Sequence, residues 1–110
     1  MLRYMLDTDT CIAALKADAT SRLAARFNRH AEQLCISSIV LAELQYGAEN
    51  SRRVAENLRQ IELFTARLEA TLDFDALAAV EYGRVRASLR HQPIGPLDTL
   101  IAAHALSRRL

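Results

Sequence analysis

Asp7, Glu43 and Asp98 lie far apart in the chain, yet each stands where an apolar segment gives way to a turn or a helix. Asp7 ends the run Leu2-Arg3-Tyr4-Met5-Leu6, Glu43 follows Ile36-Ser37-Ser38-Ile39-Val40-Leu41-Ala42, and Asp98 follows the turn Pro93-Ile94-Gly95-Pro96. Three carboxylates brought to about 5 Å from one another would repel by roughly 3 kcal/mol per pair at an effective dielectric near 20. That is a large share of a domain's stability of about 5–15 kcal/mol, so a cluster of this kind needs a cation or protons. Singly, each acid has an ordinary explanation. Asp7 and Asp9 suit helix caps, Asp98 a first-turn carboxylate favoured by the helix dipole, and Glu43 a solvated helix position. The combination argues for chemistry, because Glu43 lies between apolar neighbours where no cap explanation applies and a Gly-Pro turn fixes the direction of Asp98.

The elements that must position these acids follow from periodicity. Residues 2–7 read as a short buried strand, with Thr8-Asp9-Thr10 capping a helix from Cys11 to Lys16. Leu23, Phe27, Ala31 and Leu34 recur at helical spacing and predict a helix from Ser21 to Gln33. A second strand is expected over residues 34–39, then a helix capped by Ser38 that carries Glu43 and ends near Tyr46-Gly47, with the glycine past its last turn. Val54, Leu58, Ile61, Phe64 and Leu68 mark one face of a longer amphipathic helix. Residues 71–74 read as a third strand, Asp75 as the cap of a helix to about His91, and Pro96 as the first residue of a final helix. The order β-α-α-β-α-α-β-α-α implies an α/β fold with a parallel sheet, whose ligands lie beyond the carboxyl ends of the strands. Asp7 and the start of the Glu43 helix belong on that rim.

Composition narrows the function classes. At 110 residues the chain fits one domain, with no repeat, low-complexity tract or linker. Its formal net charge of +1 is not the footprint of a protein held on nucleic acid by bulk charge. Lys16 is the only lysine, so 13 of the 14 cationic residues are arginine, whose planar fork suits phosphate. Arg84, Arg86 and Arg90 on one expected helix, with Arg52 and Arg53 elsewhere, are candidate RNA contacts, weighed against a merely solvated face. Cys11 and Cys35 have apolar surroundings and no CxxC spacing, as expected of reduced core thiols in a cytoplasmic protein. No segment has the length or apolarity to span a bilayer and none resembles a secretory leader. His30, His91 and His104 have no partner at helical spacing and read as surface or satisfied core residues.

Three blocks carry a resemblance. Met5-Leu6-Asp7-Thr8-Asp9-Thr10, then Ile36-Ser37-Ser38-Ile39-Val40-Leu41-Ala42-Glu43-Leu44 with Tyr46-Gly47-Ala48, then Pro93-Ile94-Gly95-Pro96-Leu97-Asp98 with Ile101-Ala102-Ala103-His104-Ala105 resemble the PIN-domain ribonucleases, specifically the VapC toxins of toxin–antitoxin pairs. The resemblance runs the length of the chain. It implies a three-layer fold with a short central parallel sheet flanked by helices, and a Mg²⁺- or Mn²⁺-dependent endoribonuclease. It also implies inhibition by a VapB antitoxin and a homodimeric state. Asp7 and Asp98 would be metal ligands, and Glu43 a third acid acting directly or through water. The Pro-Ile-Gly-Pro block is associated in the family with cleavage of initiator tRNA in the anticodon loop. Magnesium keeps waters in its octahedral shell, so a few carboxylates leave positions for a nucleophilic water and a phosphate oxygen. Thr8 and Ser38 are expected to cap helices before they orient any water.

The chain also departs from the family pattern. Relatives continue past the final helix into another apolar strand and a polar turn, whereas this sequence stops at Ser107-Arg108-Arg109-Leu110. The expectation is a single PIN domain over residues 1–110 with its last strand missing and the first strand left as a sheet edge. Asp9 stands where many relatives carry Asn. Two rival readings follow: a remnant that binds antitoxin or its own copy without cleaving RNA, and a haloacid-dehalogenase-type phosphatase using Asp7-Thr8-Asp9. The phosphatase leaves Glu43 and Asp98 without a role and finds its only lysine, Lys16, on the first helix.

Overall fold

The computed structural model describes residues 1–110 and contains a three-stranded parallel sheet in the order β1-β2-β3, formed by Tyr4–Met5, Leu34–Ser37 and Ala70–Leu72. Six helices follow in chain order: α1 Thr8–Lys16, α2 Arg22–His30, α3 Ser38–Glu49, α4 Val54–Arg67, α5 Ala76–Ser88 and α6 Pro96–Ser107. The architecture is the expected mixed α/β one. No helix is long and apolar enough to cross a membrane.

Strand β2 is central. All four of its residues are buried, as expected of a strand covered on both faces. Tyr4 pairs with Leu34 and Met5 with Cys35 on one side, and Cys35, Ile36 and Ser37 pair with Ala70, Thr71 and Leu72 on the other. The core forms where β2 meets the helices: Ile36, Val40 and Cys11 are fully buried, with Phe27, Ile61 and Phe64 packed around them. Phe27 and Phe64 join α2 to α4 with ring centroids 5.3 Å apart. Cys11 and Cys35 are buried and unpaired, as expected. Burial first, and the charge of Asp7 second, push the Cys11 thiol up to about 12.

Several boundaries differ from the expected ones, each for a local reason. Strand β1 spans two residues rather than 2–7, because Asp7 already caps α1: its Oδ1 accepts from the Thr10 amide at 2.8 Å. That helix therefore starts at Thr8, three residues early. Ser21 caps α2, whose end tightens into a 3₁₀ turn over Ala31–Gln33. Ser37, not Ser38, caps α3 by accepting from the Ile39 amide at 3.1 Å, which shortens β2 by two residues. Ser38 Oγ instead accepts from the Phe74 amide at 3.0 Å, tying the loop after β3 to the start of α3. Gly47 lies inside α3 rather than beyond it, and the helix runs to Glu49. β3 is Ala70–Leu72, and α5 ends at Ser88 rather than near His91. Asp75 does cap α5, accepting from the Ala78 amide at 3.0 Å, and Pro96 does open α6.

Candidate active site

Each of the three acids reaches the same place by a different device. Asp7 ends the segment after β1, held to β2 by the bond from the Leu6 amide to the Cys35 carbonyl at 2.9 Å. Glu43 comes from the second turn of α3 and is half-buried. Asp98 sits in the first turn of α6, which Pro96 opens and Thr99 fastens: the Thr99 amide and hydroxyl both donate to the Gly95 carbonyl, at 2.9 and 2.8 Å. Asp7, Glu43 and Asp98 together line one open cleft of about 450 Å³, with Thr8, Asp9 and the segment Gly95–Leu97 completing its wall. Thus the beginning, middle and end of the chain meet, and the fourth acid, Asp9, is there too.

Two of the carboxylates are already engaged within the protein. Thr8 Oγ1 donates to Glu43 Oε1 at 3.0 Å, a bond that ties α1 to α3. Thr8 is therefore not a cap but a tether on Glu43, contrary to the sequence expectation. The Thr10 hydroxyl and amide, both donating to Asp7, hold its carboxyl below the ordinary carboxylate range. Asp7 therefore holds its negative charge more readily than an ordinary carboxylate. No three His, Cys, Asp or Glu side chains stand close enough to ring a single ion. The acids share a cleft rather than a finished coordination shell. The donor chemistry is uniform, however: the lining offers carboxylates and a hydroxyl and no imidazole or thiol, a set that suits hard cations such as Mg²⁺ or Mn²⁺ over softer metals.

The candidate RNA contacts lie next door rather than in this cleft. Arg86 and Arg90 line a second hollow of about 700 Å³ between α5 and the segment Pro93–Pro96. Pro96 borders both hollows. Arg86 donates to the Tyr82 hydroxyl at 3.2 Å and lies over its ring. Arg84 lines neither hollow and faces Glu81 at 3.8 Å. Arg53 is paired with Glu56 at 2.8 Å, and Lys16 borders a separate groove between α1, α3 and α4. The acid cleft has no lysine among its lining residues, so the arrangement does not supply what the phosphatase reading requires.

His30 and His91 are ordinary, half-buried and exposed respectively. His104 is not. It is fully buried on α6, its Nδ1 is 2.7 Å from Ser37 Oγ, and its ring stands edge-on to Phe74 with centroids 5.4 Å apart. Nε2 has no hydrogen-bond partner. Burial lowers its pKa, against the opposing charge of Asp75. The sequence alone gives no sign of this role because nothing at helical spacing pairs with His104; its partner is 67 residues away.

Residues 4–110 match the model of the PIN domain. The chain is 47% identical to the tRNA(fMet)-specific endonuclease VapC of Salmonella typhimurium, over all of this chain and 83% of that protein. It is 44% identical to ribonuclease VapC2 of Haemophilus influenzae, with the same coverage. Among solved structures, DNA-bound VapBC from Salmonella typhimurium superposes with a TM-score of 0.91 at 47% identity, covering 98% of this chain and 82% of that one. VapBC2 from Rickettsia felis bound to a promoter DNA fragment gives 0.88 at 36% identity, covering 99% and 83%.

Proposed function

The chain belongs to the PIN-domain family, and we propose that it is the endoribonuclease toxin of a VapBC pair, using a divalent cation held by Asp7, Asp98 and Glu43. The observation that carries the reading is the meeting of those three carboxylates in one imidazole-free cleft. Names of relatives at 47% identity point to initiator tRNA as the substrate. Solved complexes of similar chains point to a VapB-type antitoxin as the partner. A homodimer accords with the exposed Leu77 and Val80 of α5, which present apolar surface to a second copy.

In this reading Asp7 and Asp98 hold the ion from the starts of α1 and α6. Glu43, steadied by Thr8, acts from α3 as the third acid, directly or through water. When bound, the ion neutralises charge developing on the phosphoryl group and acidifies a water. Arg86 and Arg90 guide the flanking backbone of the strand toward the cleft by pairing with its phosphates.

The test uses purified chain with a tRNA mixture. Cleavage is expected with Mg²⁺ or Mn²⁺, absent with EDTA, and lost in Asp7→Asn. Mn²⁺ should also raise the melting temperature, and Asp98→Asn should abolish that rise. Intact tRNA under all conditions, or undiminished cleavage by Asp7→Asn, would overturn the assignment.

A further inference from the structure

Resting on that proposed reading, we infer that His104 is a positioning residue: through Ser37 it locks α6, which carries Asp98, against α3, which carries Glu43, and so sets the spacing of the acids from behind the cleft. Ser37 is the hub of this lock. Its hydroxyl does two things at once, accepting from the Ile39 amide at 3.1 Å to start α3 and meeting His104 Nδ1 at 2.7 Å. One buried oxygen thus joins the end of β2, the first turn of α3 and the last turn of α6. Whichever way the shared proton points, the bond restrains α6 at His104 against the start of α3, beside the apolar packing of Ile101 with Val40 and Leu44 in the core. The adjacent Ser38 Oγ accepts from the Phe74 amide, and the Phe74 ring closes over the edge of His104. The lock is therefore clamped from the loop after β3 as well.

An aliphatic side chain would fill the same volume without this arrangement. His104 instead buries an imidazole, which is costly unless its nitrogens are engaged, as Nδ1 is with Ser37 Oγ at 2.7 Å. Through Nδ1 the imidazole performs a task that packing alone does not, a directional tie to Ser37. The acids make that task plain. Asp98 and Glu43 line one cleft but belong to separate helices, and the only side-chain tie reaching Glu43 comes from Thr8 on α1. Side-chain fixation of α6 to α3 comes from the Ser37 bond. The groups facing His104 are Asp75 and Asp73 from the β3–α5 segment and Arg108 from the end of α6; none of them offers an alternative lock to α3.

Mn²⁺ binding by the full chain tests the proposal, read by calorimetry alongside tRNA cleavage. His104→Phe keeps ring volume and loses the bond. His104→Asn restores a polar atom near the position of Nδ1. Ser37→Ala removes the other partner and is the smaller change should His104→Phe fail to fold. The expected result is Mn²⁺ binding weakened about tenfold or more in His104→Phe and Ser37→Ala, in line with the loss of groups that orient metal ligands, with substantial recovery in His104→Asn. A metal-free readout accompanies it: nitroxide labels on Tyr46→Cys and Leu106→Cys, both exposed sites, should give a broader α3–α6 distance distribution once the lock is removed. Wild-type affinity and an unchanged distance distribution in folded Ser37→Ala would overturn the inference. Failure of the wild-type chain to bind Mn²⁺ at all would instead overturn the reading of the acids, while the label distances would still decide whether the lock exists.

Discussion

At the scale of single residues, two of the site's carboxylates are each restrained by a neighbouring threonine. Thr8 restrains Glu43 and Thr10 restrains Asp7. Thr8→Val should therefore lower tRNA cleavage about tenfold, the equivalent of about 1.4 kcal/mol and close to the lower end, about 1.5 kcal/mol, for a hydrogen bond to a charged group. Its melting temperature should stay near that of wild type, as activity and thermal unfolding measured side by side would reveal. His104 gives a pH prediction. Its folded-state pKa lies below the ordinary 6.5, so the unfolded chain takes up the proton first as the pH falls. Stability from this residue is complete above about pH 6.5 and declines below it, toward the folded value. Urea unfolding between pH 7.5 and 5 should show that decline, and it should be shallower in His104→Phe. The sequence made the three acids legible because their flanking blocks are distinctive. It hid His104 and Ser37, since a bond spanning 67 positions leaves no trace in local spacing.

At the scale of elements, capping decides where helices begin, and it was the least legible feature. Competing hydroxyls and carboxylates stand side by side at Asp7-Thr8-Asp9-Thr10 and Ser37-Ser38. Which one caps depends on the backbone at the strand end, and that is set by pairing with β2. The strong apolar period of α4 and the Pro96 start of α6 were readable because each signal is local and unopposed. Gly47 illustrates the reverse. It looks like a stop, but Ala48 beyond it packs into the core, and that burial outweighs glycine's cost of about 1 kcal/mol in a helix interior. Ser21 offers a clean test of capping away from the cleft, since its Oγ accepts from the Ala24 amide at 3.1 Å. Ser21→Ala should cost about 1 kcal/mol and lower the melting temperature by roughly 4–8 °C. Cleavage at temperatures well below the transition should be unaffected.

At the scale of the whole molecule, the Cα radius of gyration is 14.6 Å, against about 13 Å for a compact chain of this length. Leu77, Val80 and Leu106 are all more than half exposed on the α5–α6 pair, which leaves apolar surface for another chain. If the proposed homodimer forms through this surface, Leu77→Glu combined with Val80→Glu should shift the protein toward monomer, as light scattering would record. The two arginines of the second hollow belong to this scale too, because the effect proposed for them on RNA is electrostatic. Arg86→Ala with Arg90→Ala should weaken tRNA binding and reduce the slope of log K against log salt by about 1.4, at about 0.7 for each single-strand phosphate that is no longer neutralised. An unchanged slope would remove these residues from the path of the RNA.

The cleft is walled by the opening turns of α1 and α6, and each of those ends carries about half a positive charge from its aligned peptide dipoles. Together they offset roughly one of the carboxylate charges, so the floor attracts cations less than its acids alone suggest and tolerates an anion more. Ion and phosphate should then assist each other's entry, and by linkage each must tighten the other by the same factor. Manganese titrations with and without a non-cleavable RNA would expose that reciprocity.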